Sequence, residues 1–132
     1  MKAAYLDASA LVKLFKREPE TGALTREFRS WGVLVSSELI AIEARCTARR
    51  LGDRATLERV ETVLAGIDLM RFTPELRDLA GAIQSGPPLR ALDAIHLATA
   101  LSMREDLGTI FVYDGDLQTA ARAHGLDVTA PR

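Results

Sequence analysis

The chain has 132 residues, of which 48% are apolar and 27% charged, the ordinary balance of a globular domain. Its 17 basic and 18 acidic residues give a formal net charge of −1, so any contact with nucleic acid must come from a local patch. The lone Cys46 excludes an internal disulfide, no stretch is apolar enough to span a bilayer, and the first residues are strand-like. We therefore expect a soluble, cytoplasmic protein without a signal peptide.

Strands and helices alternate in the predicted elements. In chain order they are strand 2–7, helix 8–16, helix 20–30, strand 33–37, a helix to about 51, helix 53–65, strand 67–72, helix 73–84, loop 85–88, a helix from 91 to about 103, strand 109–114, helix 115–125 and strand 126–129. This alternation predicts an α/β fold with a mainly parallel sheet of four to five short strands and helices on both faces.

Four acidic residues fall where a parallel sheet would bring them together. Asp7 and Asp114 end the first and fourth predicted strands, and ligands bind beyond the carboxyl ends of such strands. Glu43 shares a helix face with Leu39 and the small, core-like Cys46, and Asp93 opens a helix of mostly small and aliphatic residues. Clustered carboxylates repel one another, and a divalent cation removes the conflict. We therefore expect the four acids to converge around Mg²⁺ or Mn²⁺.

Each acid also has an ordinary structural explanation. Asp7 and Asp93 could be helix caps, and Asp114 could be part of an Asp-Gly turn. Glu43 could pair with a nearby arginine. Taken singly, these explanations are as good as a functional one or better, and it is the combination of two strand-terminal aspartates with two inward-facing acids that favours a site.

Four sequence blocks carry these acids: YLDASALVKLF (5–15), SSELIAIEARCTAR (36–49), LRALDAIHLATA (89–100) and VYDGDLQTAARAHGL (112–126). Together they resemble the PIN-domain ribonucleases, and most closely the VapC toxins of bacterial toxin–antitoxin pairs. The resemblance covers the whole chain. It implies a single PIN domain over residues 1–132, with the family's three-layer α/β/α architecture.

The resemblance also implies an activity, which is cleavage of RNA phosphodiesters with bound Mg²⁺ or Mn²⁺. Asp7 and Asp93 would be the primary ligands, and Glu43 and Asp114 would complete the metal site. Ser9 is the supporting hydroxyl. Val112 stands where the family often has Thr or Ser, so we expect Asp116 to assist the fourth position.

Two further groups of side chains are candidates. His96 lies almost one turn after Asp93, and we expect a structural hydrogen bond from it rather than general-base catalysis. Positive charge for RNA binding could come from Arg45, Arg49 and Lys13. A solvated helix surface explains the same arginines equally simply.

The resemblance implies a small VapB-like antitoxin that covers the acidic groove, and a homodimer. The apolar residues of helices 20–30 and 53–65 could supply partner surfaces or could belong to the core. A catalytically inactive PIN fold that only binds RNA or a partner remains an alternative. Two other enzyme or signalling classes fit poorly. A haloacid-dehalogenase-type phosphatase would need an aspartate at the position of Ser9. A receiver domain would need a lysine late in the chain, and the last lysine here is Lys16.

Overall fold

The computed structural model describes residues 2–84 and 86–132. The described residues form a five-stranded sheet and seven α-helices, with a short 3₁₀ turn at Arg104–Asp106. The elements are β1 (Ala3–Leu6), α1 (Ala8–Phe15), α2 (Thr21–Phe28), β2 (Val33–Ser37), α3 (Leu39–Leu51), α4 (Arg54–Ala65), β3 (Asp68–Met70), α5 (Pro74–Ala82), α6 (Ala91–Ser102), β4 (Leu107–Phe111), α7 (Gly115–Ala123) and β5 (Val128–Thr129).

The sheet is entirely parallel, with strand order β3-β2-β1-β4-β5. The chain moves outward from β1 to β3 and then returns to β4 on the other side of β1. Such a reversal opens a crevice at the carboxyl ends of the two strands that flank it. It therefore brings the segment after β1, which begins with Asp7, close to the segment after β4, which carries Asp114.

The residues of β1 alternate between two cores because successive side chains of a strand point to opposite faces. Ala4 and Leu6 pack into one buried cluster with residues of α1 to α4. Ala3 and Tyr5 pack into the other cluster with residues of α6 and α7. This arrangement of helices on both faces of a parallel sheet confirms the predicted three-layer α/β/α fold.

Some predicted bounds are wrong. The fourth strand was expected at 109–114, but β4 ends at Phe111, and Asp114 instead caps α7 by accepting a hydrogen bond from the backbone N of Leu117 at 2.9 Å. β4 pairs with β1 and β5 only as far as Phe111, and the cap of α7 follows three residues later, so the strand is shorter than predicted. The predicted loop 85–88 includes Ser85, which lies outside the described residues.

One surface expectation also needs correction, and one open alternative is settled. Cys46 is exposed and not part of the core. The large apolar side chains of α2 and α4, including Leu24, Val60 and Leu64, are buried or partly buried. These apolar side chains therefore contribute to the core rather than to a partner surface. No helix in the described ranges is both long and apolar enough to cross a membrane.

Candidate active site

Asp7 is the most buried acid of the site, with 3% of its surface exposed. It caps α1, and its Oδ2 atom accepts hydrogen bonds from the backbone N of Ser9 at 3.1 Å and the Ser9 hydroxyl at 2.7 Å. Its Oδ1 atom is buried and has no hydrogen-bond partner among residues 2–84 and 86–132. A buried carboxylate oxygen without a donor is costly, so this atom is suited to a positively charged ligand.

Ser9 connects Asp7 to the neighbouring segment. While its hydroxyl donates to Asp7, its oxygen accepts a hydrogen bond from the backbone N of Tyr113 at 2.9 Å. Tyr113 immediately precedes Asp114. One hydroxyl therefore fixes the start of α1 against the segment that leads into α7.

Glu43 lies on α3 and is held by a buried chain of hydrogen bonds. His96 Nε2 lies 2.7 Å from Glu43 Oε1, and because a carboxylate only accepts, the imidazole donates. His96 Nδ1 lies 2.7 Å from the Tyr5 hydroxyl, which also accepts from the backbone N of Ser37 at 3.1 Å. The expected structural hydrogen bond of His96 is thus present, and Tyr5 is a member of the site that the sequence did not indicate.

The surroundings of this hydrogen-bonded series raise the pKa of both Tyr5 and His96. Burial raises the pKa of Tyr5. Burial alone would lower the pKa of His96, but the hydrogen bond to Glu43 and the charges of Asp7, Glu43 and Asp93 raise it above its ordinary value.

Asp93 lies in the first turn of α6 with 17% of its side chain exposed. Burial and the charges of Asp7 and Asp114 raise its pKa, and the guanidinium of Arg90 partly opposes this shift. Arg90 Nε lies 3.5 Å from Asp93 Oδ2, and Arg90 Nη2 lies 3.7 Å from Asp114 Oδ2. Asp93 therefore sits among like charges, with one exposed cation as partial compensation.

Three of the four predicted acids line one cleft of about 310 Å³. Its lining residues are Asp7, Ala8, Ser9, Glu43, Arg90, Leu92 and Asp93. Asp114 lies at the margin, where Arg90 links it to Asp93. Asp116, the expected assistant, is exposed in the first turn of α7.

The expected convergence on a common ion is only partly realised. Within the described ranges, no three His, Cys, Asp or Glu side chains approach closely enough to hold a metal ion as they stand. The physical reason is that the acids already have partners: Glu43 faces His96, Asp114 uses Oδ1 to cap α7, and Asp93 faces Arg90. The donor chemistry nevertheless fits Mg²⁺ or Mn²⁺, because all four acids offer hard oxygen ligands and Asp7 Oδ1 lacks a donor.

An apolar groove adjoins the acidic cleft. It has a volume of about 340 Å³ and shares Ala8, Glu43 and Leu92 with the cleft. The exposed side chain of Ile42 and the thiol of Cys46 line it as well. The acids thus lie at one end of a longer, mostly apolar depression.

The predicted RNA-binding residues differ in how free their charges are. Lys13 is buried, with its Nζ atom 3.0 Å from carboxylate oxygens of both Glu18 and Glu20, so its charge is used within the fold and is not available to a phosphate. Arg45 is exposed but makes a bidentate ion pair with Glu61, at 2.8 and 2.9 Å. Arg49 is exposed on α3 and forms no ion pair with any residue that the structure describes.

Comparison with known proteins decides the family. The sequence pattern of the PIN domain matches residues 4–123. The chain belongs to the PIN-domain family. Within it, the chain belongs to the VapC ribonucleases. It is 43% identical to Ribonuclease VapC46 of Mycobacterium tuberculosis over 99% of both chains, and 35% identical to Ribonuclease VapC47 of the same species over 96% of both.

Solved PIN-domain structures share the fold. The crystal structure of Mycobacterium tuberculosis VapC20, described as a sarcin-ricin loop cleaving toxin, superposes with a TM-score of 0.75 and 20% identity, covering 97% of this chain and 99% of that one. VapBC2 of Rickettsia felis, solved bound to a fragment of promoter DNA, gives a TM-score of 0.77 at 12% identity, covering 98% of this chain and 99% of that one. At these identities the likeness concerns the PIN architecture alone.

Proposed function

We propose that this protein is the ribonuclease toxin of a type II toxin–antitoxin pair, a single PIN domain over residues 1–132 that cleaves RNA phosphodiesters with Mg²⁺ or Mn²⁺. The single observation that carries the proposal is the buried Oδ1 atom of Asp7, which lacks a hydrogen-bond partner within the described residues and belongs to a cleft lined with acids. Membership of the VapC ribonucleases supplies the reaction class.

In this proposal Asp7 and Asp93 hold the ion, and Glu43 and Asp114 hold its waters or complete its ligands. When bound, the ion supplies Lewis-acid activation of water and positive charge at the scissile phosphate. The remaining side chains position the acids. Ser9 orients Asp7 through its hydroxyl, and His96 holds Glu43.

Electrostatics support Asp7 and Asp93 as the primary ligands of the ion. Asp7 Oδ1 has no hydrogen-bond donor among the described residues, and His96 Nε2 lies 3.9 Å away, beyond hydrogen-bond distance. Burial and the charges of Asp7 and Asp114 raise the pKa of Asp93, so Asp7 and Asp93 repel each other, and the contact of Asp93 with Arg90 is long, at 3.5 Å. A divalent cation bound between them relieves this repulsion. Glu43 already has the partner His96, and Asp114 lies outside the lining of the cleft, so both are better suited to a supporting role.

The alternative is a PIN fold that binds RNA or a partner without cutting. The absence of a preformed three-ligand cluster in the described residues favours it, as does Val112, whose buried side chain puts no hydroxyl beside Asp114. Against it stand all four acids and the Ser9 hydroxyl, which already ties Asp7 to Tyr113.

An antitoxin partner and a homodimer are part of the proposal. The apolar groove beside the acids is a suitable surface for an antitoxin segment, since the exposed side chains of Ile42 and Leu92 lie along it. A basic side chain of such a segment would be attracted to the carboxylates at the end of the groove. Sedimentation of the chain alone and with its antitoxin tests the homodimer, which should sediment at twice the mass of one chain.

The decisive experiment compares cleavage of short RNAs with and without Mg²⁺ or Mn²⁺. We expect metal-dependent cleavage by the wild type and its loss in Asp7→Asn and Asp93→Asn, with the fold retained. Asp106→Asn, an exposed acid of the 3₁₀ turn, is the matched control and should leave cleavage unchanged. If the wild type binds RNA but never cuts it with either ion, the inactive-module alternative holds instead.

A further inference from the structure

Arg90 is the one basic residue that lines the acidic cleft in the described part of the chain. It occupies the N-cap position of α6, where its backbone oxygen accepts a hydrogen bond from the backbone N of Ala94 at 3.0 Å. The root of the side chain is therefore fixed by the helix. The side chain itself is 83% exposed and reaches across the cleft mouth between Asp93 and Asp114.

The guanidinium is weakly held. Its distances of 3.5 Å to Asp93 and 3.7 Å to Asp114 exceed the ordinary range for hydrogen bonds. Exposed ion pairs of this kind contribute little to stability. By contrast, Arg45 makes two short bonds to Glu61, and Lys13 is buried between two glutamates. Of these three cations, Arg90 is the one whose donors make only long contacts.

We propose that Arg90 has two successive partners. In the free protein it is the counter-ion of Asp93 and Asp114, and with substrate bound it transfers to a phosphate of the RNA backbone at the cleft mouth. This inference rests on the proposed function. A guanidinium presents a planar fork of N–H donors that matches two phosphate oxygens, and such charge-assisted pairs are stronger than the long contacts that Arg90 makes here.

The transfer follows from charge balance in the cleft. A divalent ion bound by the carboxylates would neutralise most of their negative charge. Their attraction for the Arg90 guanidinium would then fall, because the ion takes its place as their counter-ion. The released guanidinium stays at the mouth, since its backbone is part of the start of α6. The Arg90 side chain therefore competes with the ion for the carboxylates when RNA is absent, and it binds a substrate phosphate when RNA is present.

The two roles give effects of opposite sign, which a merely structural residue would not produce. Arg90→Ala should bind Mn²⁺ more tightly than the wild type, because the competing cation is gone. The same variant should bind RNA about 10- to 100-fold more weakly, since it lacks a charge-assisted pair. Arg90→Lys should retain the competition with Mn²⁺ but recover only part of the RNA affinity, because an ammonium lacks the fork.

The test has two arms, both on the full chain. Calorimetric titration with Mn²⁺ alone compares wild type, Arg90→Ala and Arg90→Lys. RNA binding is measured in the Asp7→Asn background, which prevents cleavage, over a series of salt concentrations, and Arg90→Ala should flatten the salt slope by about 0.7. Arg77→Ala, which removes an exposed arginine of α5 paired with Asp78, is the control and should change neither quantity.

The possible outcomes are distinguishable. Unchanged RNA affinity and salt slope in Arg90→Ala would overturn the inference, even if Mn²⁺ bound more tightly, and unchanged Mn²⁺ affinity would overturn the counter-ion role. Both results presuppose a wild type that binds Mn²⁺ and cuts RNA. A wild type that does neither would instead reject the proposed function.

Discussion

The Ser9 hydroxyl donates to Asp7 Oδ2 at 2.7 Å and accepts from the backbone N of Tyr113 at 2.9 Å. A single oxygen thus fixes both the carboxylate after β1 and the segment before Asp114. The two segments lie on either side of the point where the sheet order reverses. The Ser9 side chain therefore adds to the backbone hydrogen bond from Asp7 N to Phe111 O, at 3.0 Å, in fixing the placement of Asp7 relative to Asp114.

Ser9→Ala should reduce cleavage more than it reduces stability. The change leaves the amide of Tyr113 without its acceptor, which costs about 1–3 kcal/mol of unfolding free energy. It also removes the shorter of the two hydrogen bonds to Asp7 Oδ2 and leaves only the one from the Ser9 backbone N, so the carboxylate is held less firmly and we expect a fall in kcat of at least about tenfold. Ser9→Thr keeps the hydroxyl and is the control. Equal activity of Ser9→Ala and wild type would exclude a positioning role for this residue.

Asp93→Asn should be at least as stable as the wild type near neutral pH when no divalent ion is present. The pKa of Asp93 is raised in the folded state, so the folded chain holds this proton more tightly than the unfolded chain does. Its contribution to stability is full below the unfolded-state pKa and declines as pH rises through the raised folded-state pKa. Asparagine does not titrate, so the variant should lack this decline.

Unfolding in denaturant from about pH 3 to about pH 8 with a chelator checks the expectation. Mg²⁺ should then reverse the order, because a ligand stabilises only the protein that binds it. A wild type that is more stable than Asp93→Asn throughout this range without metal would contradict the repulsion inferred for the cleft.

Tyr5→Phe tests the buried chain that holds Glu43. It removes the partner of His96 Nδ1 and the acceptor of the Ser37 backbone N, both in the core. We expect a decrease of about 1–3 kcal/mol in unfolding free energy, measured by denaturant titration. Tyr113→Phe is the control, because the Tyr113 hydroxyl donates only to the Pro131 carbonyl oxygen in a partly exposed place. Equal decreases in the two variants would argue against a special role for the buried chain.

Arg49→Ala should weaken RNA binding more than Arg45→Ala does. Arg45 is already paired with Glu61, whereas no described residue forms an ion pair with Arg49. Glu61→Gln should strengthen RNA binding by releasing Arg45. The readout is the salt dependence of affinity, whose slope should fall by about 0.7 for each phosphate of single-stranded RNA that the protein no longer neutralises. If the salt dependence of RNA affinity had the same slope in all three variants, these arginines would be ordinary solvated surface residues without a role in RNA binding.

Two glycine substitutions should have opposite effects on stability. A Cβ atom at Gly108 would lie 2.3 Å from a ring carbon of Trp31, so Gly108→Ala should cost about 1–3 kcal/mol of unfolding free energy. Gly81 lies within α5 with open space around it, and Gly81→Ala should add about 0.5–1 kcal/mol. Thermal unfolding of the pair measures both. A destabilised Gly81→Ala would show that α5 does not tolerate the longer side chain.

Local chemistry explains what the sequence predicted well. The helix start at Asp53 and the helix end at Gly52 were predicted because caps and glycine stops act within a few residues, and both are confirmed. The strand at 33–37 is confirmed at both ends because its apolar run is bounded by a glycine and a helix start. The fold class followed from the alternation of such elements.

Interactions between distant elements explain what the sequence did not predict. Lys13 has the sequence context of a surface lysine, and only the path of the chain around Pro19 brings two glutamates to its ammonium. The pairing of Arg45 with Glu61 depends on how α3 packs against α4. Tyr5 resembles any core aromatic until its hydroxyl is seen to contact His96.

Asp7 and Asp114 each use one carboxylate oxygen to cap a helix, through the backbone N atoms of Ser9 and Leu117. Natural selection on folding alone would therefore retain an acid or an amide at both positions. A homologue without nuclease activity would still be under pressure to keep them. Among related sequences, substitutions at Asp93 or Glu43, neither of which caps a helix, are the more informative sign that catalysis has been abandoned.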